Sequence, residues 1–258
     1  MKRLQPSSWL PITAMAIILA APGARADLPS AISKVKPSVV VVGTYKATNN
    51  PRFTLRGTGF VAADGNLVVT NAHVLPEAAQ MDSETQIAVQ VRTGQTDLQM
   101  RLATVLEIDK PHDLALLKIE GAEIPKLALR DSDAVLEGQA VGFMGFPIGG
   151  VLGFAAVTHR GTISSRTTIS LPSANSRQLD ARTLRSLRDG SFDIFQLDAT
   201  AYPGNSGGPV FDADTGEVLG VINMVFIKGT RESALTNPSG ITYAIPSKFV
   251  LQMLQRRK

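Results

Sequence analysis

The sequence has no cysteine. That excludes a disulfide framework, a thiolate nucleophile, a Cys-ligated zinc and an iron–sulfur cluster. Aromatic residues are scarce, 5% with a single Trp, which argues against a stacking platform for single-stranded nucleic acid. Histidine is rarer still: His73, His112 and His159 are scattered, and no HExxH pattern holds any of them. A zinc hydrolase site is therefore not expected, and neither a metal nor a cofactor is implied. Past residue 26 no run is long and apolar enough to span a bilayer, which takes roughly 20 residues. What remains is 258 residues, enough for one two-lobed unit with a sizeable core and no staples.

The formal charge of +4 is misleading, because Lys2, Arg3 and Arg25 lie in an N-terminal leader. Lys2 and Arg3 open it, Leu10 to Ala21 is mostly apolar, and Ala24-Arg25-Ala26 places small residues at both recognition positions of a cleavage site. The apolar run is too short to span, and Pro22-Gly23 breaks it, so residues 1–26 read as a cleaved secretory signal. Removing the leader's cations leaves the 22 acidic residues almost balanced, with a net charge of about +1. No nucleic-acid partner is expected, and no stable membrane insertion after cleavage. The expected location is periplasmic or secreted.

The remainder reads as short strands with turn punctuation. Val39 to Val42 is a β-branched run. Gly59 to Ala63, Asp64-Gly65 and Asn66 to Thr70 form a hairpin signal, since Asp-Gly supplies the positive φ a tight turn needs. Ile87 to Val91 alternates, while Leu114 to Ile119 and Val141 to Phe146 are strand candidates, the latter ended by Pro147. Gly208 to Phe211, the Asp214-Thr215-Gly216 turn and Val218 to Ile222 make a second hairpin. Many short strands with frequent turns point to a β-barrel or sandwich. Ser247 to Arg257 is the clearest helical pattern, with Phe249, Val250, Met253 and Leu254 on one face. The polar, Arg-rich stretch 165–192 reads as a long surface loop with a short helix near 180–188. No internal repeat is visible.

One segment offers chemistry. Pro203-Gly204-Asn205-Ser206-Gly207-Gly208-Pro209 sets a serine among glycines, where the backbone can turn sharply and expose both Oγ and successive N–H groups. Acyl transfer requires that combination of nucleophile and oxyanion donors; a plain Gly-rich turn would look the same. Chain order discriminates further. No His follows Ser206, which excludes the Ser–Asp–His order. An Asp–His–Ser order needs an acid before His73, where only Asp27 and the turn residue Asp64 occur. The His–Asp–Ser order fits His73, an Asp within 109–113, and Ser206.

Thr70-Asn71-Ala72-His73-Val74, Asp113-Leu114-Ala115-Leu116-Leu117 and Gly204-Asn205-Ser206-Gly207-Gly208-Pro209 resemble the three catalytic blocks of trypsin-like serine peptidases, and are most similar to the bacterial HtrA/Deg group. Gly57 to Val61, Gly161 to Ser164 and Gly240 to Pro246 extend the resemblance over about residues 30–255. It implies an all-β fold of two packed six-stranded, chymotrypsin-like barrels with a C-terminal helix. The barrels are expected at about 30–138 and 139–246 within a peptidase domain of 27–258, with the helix at 247–257. By the family pattern Ser206 attacks the scissile carbonyl, His73 shuttles its proton, Asp113 orients the imidazole, and the N–H groups of Gly204 and Ser206, with Asn205 nearby, form the oxyanion hole. Asp109 is the rival acid; Asp113 is preferred because it opens an apolar strand and matches the motif. His112 is expected to point away, and His159 to be solvated or at a strand edge.

The resemblance also frames a substrate pocket from Thr200, Tyr202, Asn223, Met224 and Val225. Thr200 stands where trypsins carry an acid, so a Lys or Arg side chain would lack a buried counter-charge; small or medium aliphatic residues before the cut are expected. Asn205 replaces the Asp that pairs with a freed N-terminus in digestive trypsins, so that activation route is not implied. The chain stops at Lys258 without the PDZ domains usual in the group, and PDZ-based sensing is expected to be absent. The implied function is an exported serine endopeptidase acting on protein or peptide substrates. The rivals are a non-catalytic binding or chaperone-like module on the same fold, and an esterase using the same triad.

Overall fold

The computed structural model describes residues 27–77, 81–94, 97–147, 154–170, 191–223 and 240–257. The leader lies outside them. Asp27 opens the described chain as a helix cap: its Oδ1 accepts from Ser30 N at 3.2 Å, and Pro29 occupies the first turn, where a missing N–H costs nothing. The resulting helix α1 (Leu28–Val35) buries Ala31 and Val35.

Six strands follow: β1 (Val39–Tyr45), β2 (Phe53–Ala62), β3 (Leu67–Asn71), β4 (Gln86–Arg92), β5 (Leu98–Asp109) and β6 (Leu114–Ile119). They close into a barrel in the order β1-β2-β3-β6-β5-β4, every pairing antiparallel. The second set comprises β7 (Ala140–Gly145), β8 (Val157–Ser170), β9 (Ser191–Asp198), β10 (Pro209–Asp212), β11 (Val218–Asn223) and β12 (Ile241–Pro246). It closes in the order β7-β8-β9-β12-β11-β10, the same connectivity repeated. Closure pairs the strands around each barrel and so leaves less free sheet edge than an open sheet would. Helix α2 (Ser247–Gln255) ends the fold, burying Phe249, Val250 and Met253.

Apolar packing falls into three clusters. Val40, Val42, Val61, Val68, Val89 and Leu117 fill the first barrel. Val141, Phe143, Ile163, Phe195, Leu219 and Ile222 fill the second. The third lies between them and joins Phe60, Val69, Leu114 and Leu116 of one barrel to Met144, Phe192, Phe211 and Ile245 of the other, with Phe249 and Val250 of α2 and Val35 of α1. Burial of each such side chain contributes about 1.5–3 kcal/mol. The interbarrel cluster therefore fixes how the two barrels sit against each other, on which any site between them depends.

The all-β architecture of two barrels with a terminal helix is as expected. Both hairpins form. The first turn spans residues 63–66 and uses two left-handed residues, Ala63 (φ 61°) as well as Gly65 (φ 69°). One expectation is corrected. Residues 165–170 and 191–192 are strand, not loop, because β8 and β9 pair with each other from Ile163↔Leu197 out to Ser170↔Ser191; the rest of that stretch, with its expected helix, lies outside the described residues. His159 pairs across the sheet with Phe143 of β7 on one side, while β9 pairs with β8 only from Ile163 on, so it lies at a locally one-sided stretch of the strand, where its half-buried ring stacks on Phe143 at 4.7 Å.

Candidate active site

His73 sits in a short 3₁₀ turn (Ala72–Val74) directly after β3. Arg56 of β2 grips the end of that turn, donating from Nε to Val74 O at 2.7 Å. Asp113 immediately precedes β6, the strand paired with β3 at Asn71↔Leu114. Neighbouring strands thus bring together residues 40 positions apart. Asp113 has φ 51°, a left-handed conformation that Asp tolerates better than most side chains. The surroundings hold it there: its N–H donates to Lys110 O at 3.1 Å, and its carbonyl accepts from Ala72 N at 3.0 Å and Asn71 Nδ2 at 3.1 Å.

The Asp113 carboxylate collects three donors. His73 N donates to Oδ1 at 2.9 Å. His73 Nδ1 lies 2.5 Å from Oδ2, and Asn223 Nδ2 donates to the same oxygen at 2.7 Å. An ionised carboxylate only accepts, so it selects the imidazole tautomer protonated at Nδ1 and leaves a lone pair on Nε2. A basic nitrogen is thereby aimed away from the acid.

Ser206 lies between β9 and β10 of the second barrel, against the turn that carries His73. Thr58 N donates to Ser206 O at 2.8 Å. At Gly207 (φ 85°) a methyl group would meet Thr58 O at 2.1 Å, Thr70 Oγ1 at 2.4 Å and Asn71 N at 3.2 Å. Glycine is required there by both conformation and contact. Ser206 is 6% exposed, and its Oγ makes no hydrogen bond among the described residues. The Asn205 N–H is taken by Tyr202 O at 3.0 Å, and Gly208 N donates to Asn205 O at 2.9 Å. Among the described residues the amides of Gly204 and Ser206 have no acceptor, which leaves two N–H groups on either side of Asn205 available to an anion. The fully buried Asn205 side chain places Nδ2 3.4 Å from His159 Nε2. Burial holds the His159 pKa below the ordinary histidine value.

The remaining sequence-predicted residues divide. Thr200 and Tyr202 are half-buried in the segment after β9, where Ala201 N donates to Thr242 Oγ1 at 3.0 Å. Met224 and Val225 lie outside the described residues. Asn223, read from sequence as a pocket residue, is fully buried at the end of β11 and turns its amide to Asp113. Nothing in the sequence signals that contact, because its partner is 110 residues away in the other barrel. Asp109 makes no hydrogen bond to His73 among the described residues. It pairs with His112 Nδ1 at 2.9 Å, and that imidazole stacks on Phe249 of α2 at 3.9 Å.

A family model described as a trypsin-like peptidase domain matches residues 57–221. The serine protease HTRA4 of Mus musculus is 31% identical over 232 residues, covering 88% of this chain and 40% of the relative. A probable periplasmic serine endoprotease, DegP-like, from Marinomonas sp. is 32% identical over 202 residues, covering 78% and 35%. The chain thus spans about two fifths of the length of such curated relatives or less. Among solved structures, the HtrA-type protease AlgW with tripeptide superposes with a TM-score of 0.62 at 28% identity, covering 88% of this chain and 62% of that one.

Proposed function

This chain belongs to the trypsin-like peptidase family, and from that premise we propose that it is an exported serine endopeptidase working through an acyl-enzyme. Ser206 is the nucleophile, His73 the general base and then the general acid, and Asp113 the group that orients the imidazole and stabilises its protonated form. The carbonyl oxygen of the substrate, as it becomes an oxyanion, meets the N–H groups of Gly204 and Ser206. One observation carries the reading: an imidazole with Nδ1 committed to a carboxylate follows the end of β3, and against that strand end packs a glycine-flanked serine whose neighbouring amides have no acceptor among the described residues. Hydrogen bonds between nucleophile and base tighten in the substrate complex, so the Ser206–His73 bond belongs to the loaded enzyme.

Substrates are proteins or peptides cut after small or medium aliphatic residues, because Thr200 provides no buried charge for a cation. Residues 1–26 direct the chain to the periplasm or medium and are removed, leaving the peptidase unit 27–258.

Labelling with a fluorophosphonate probe, alongside casein hydrolysis, tests the assignment. Wild type is expected to take one label, on Ser206. Ser206→Ala is expected to lose the label and about a million-fold in kcat. Labelling that survives Ser206→Ala, or a folded wild type that neither labels nor cleaves casein, overturns the reading and leaves a binding module on a peptidase fold. Hydrolysis of esters but not peptides by a labelled wild type would reassign the activity to an esterase.

A further inference from the structure

Thr58 has every polar atom engaged, and three of its four hydrogen bonds leave its own barrel. It lies on β2, fully buried. Its hydroxyl donates to Gly204 O at 2.6 Å and accepts from Phe146 N at 3.1 Å. Its N–H donates to Ser206 O at 2.8 Å. Its carbonyl accepts from Thr70 Oγ1 at 2.7 Å, within the first barrel. One residue of the first barrel therefore holds the carbonyls of Gly204 and Ser206, the two residues whose amides flank Asn205.

A peptide unit is planar, so fixing its carbonyl fixes the plane and the N–H at its other end. The Gly204–Asn205 unit is held by Thr58 Oγ1 at the carbonyl and by Tyr202 O at the N–H. The Ser206–Gly207 unit is held by Thr58 N at the carbonyl and by Ile222 O at the N–H. The unit between them is anchored through Asn205 O by Gly208 N, which leaves the Ser206 N–H facing outward. Gly204 is the weak point. At φ 104° it occupies a region where glycine has wide freedom, so its own backbone does not select one orientation. The Phe146 N–H takes a lone pair of the Thr58 hydroxyl, which directs the hydroxyl proton to Gly204 O.

We propose that Thr58 is a positioning residue that fixes the peptide units on both sides of the Asn205–Ser206 unit and so sets the Ser206 amide between them in the orientation that receives an oxyanion, so that docking of the first barrel completes the anion site of the second. This rests on the peptidase reading above. Thr58 touches no reacting atom; it acts through the loop.

The test compares Thr58→Val, which keeps the shape and removes the hydroxyl, with Thr58→Ser, which restores it. Ser247→Ala serves as a control that loses a buried hydroxyl bond of the same kind, to Arg130 O, remote from the site. Each is assayed for kcat and KM on a peptide p-nitroanilide with an aliphatic residue before the bond, and for inhibition by the matching peptide aldehyde, whose adduct carries the oxyanion. Thr58→Val is expected to lose about 10–100-fold in kcat and in aldehyde affinity with KM within about threefold. Thr58→Ser and Ser247→Ala are expected to stay within about threefold of wild type in all three. If Thr58→Val does not fold, Thr58→Ala is read the same way. A folded Thr58→Val with wild-type kcat and aldehyde affinity overturns the proposal while leaving the peptidase reading intact, as does a Thr58→Ser as impaired as the valine variant. A wild type that fails the fluorophosphonate test overturns both.

Discussion

The first barrel gives each of its histidines a carboxylate, whereas the histidine of the second has none among the described residues. His73 lies 2.5 Å from Asp113 and His112 lies 2.9 Å from Asp109. His159 stacks on Phe143, with the Asn205 amide at 3.4 Å from a ring nitrogen. Backbone is handled just as differently. The first barrel holds its site residue in a left-handed conformation without glycine, at Asp113, and secures it by bonds to both its N–H and its C=O. The second places Gly204, Gly207 and Gly208 where a methyl group would come within 2.1–2.2 Å of a carbonyl oxygen. One half positions chemistry with side-chain hydrogen bonds; the other does so by letting main chain approach main chain. The difference follows from the tasks proposed for them. A general base needs its tautomer and direction fixed, which a carboxylate does. Oxyanion donors are main-chain N–H groups, which need close backbone approach, and glycine permits it.

Three substitutions would break that contrast, in descending order of effect. Asp113→Asn keeps a residue that tolerates φ 51°, so the backbone should survive while the carboxylate is lost. On the proposed reading kcat for peptide hydrolysis falls about ten-thousand-fold with little change in unfolding midpoint; a large drop in stability instead would show that the acid's role is to hold the fold. Gly207→Ala attacks the other half. A left-handed alanine whose methyl meets Thr58 O should cost about 2–5 kcal/mol in urea unfolding, and activity should fall with it. An alanine variant of wild-type stability would mean the loop has room to shift.

The smallest effect concerns pH. Burial lowers the His159 pKa in the folded chain, so the unfolded chain takes up the proton first. Stability is full above the ordinary histidine value of 6.5, declines as pH falls from there toward the lowered folded value, and then levels off. His159→Phe should flatten that decline in urea midpoints measured across the window. An unchanged slope would assign the decline to other groups.

Much of this fold is written locally. Asp64-Gly65 and Gly216 mark hairpins because the turn needs φ that only certain residues reach cheaply. Leu114–Ile119 reads as a buried strand because it is apolar on both faces, and the helix at Ser247 shows its 3.6-residue stripe. Other elements were hidden. The long strand β5 is half-buried with mixed polarity along its length, so no clean alternation announces it. The repeated connectivity of the two barrels leaves no trace as a sequence repeat, because topology depends on burial pattern and turns rather than on residue identity.

The sequence by itself determined which reactive residues exist, their order along the chain and the glycines beside the serine, since these are properties of composition and short-range backbone geometry. Only the tertiary structure decided that Asn223 completes the Asp113 shell, that Asp109 belongs to His112, and that Thr58 grips the loop around Ser206. Those partners are set by the register of strands in closed barrels and by the apolar cluster that docks the barrels. Long-range packing of that kind depends on many side chains at once, and no single stretch of chain encodes it.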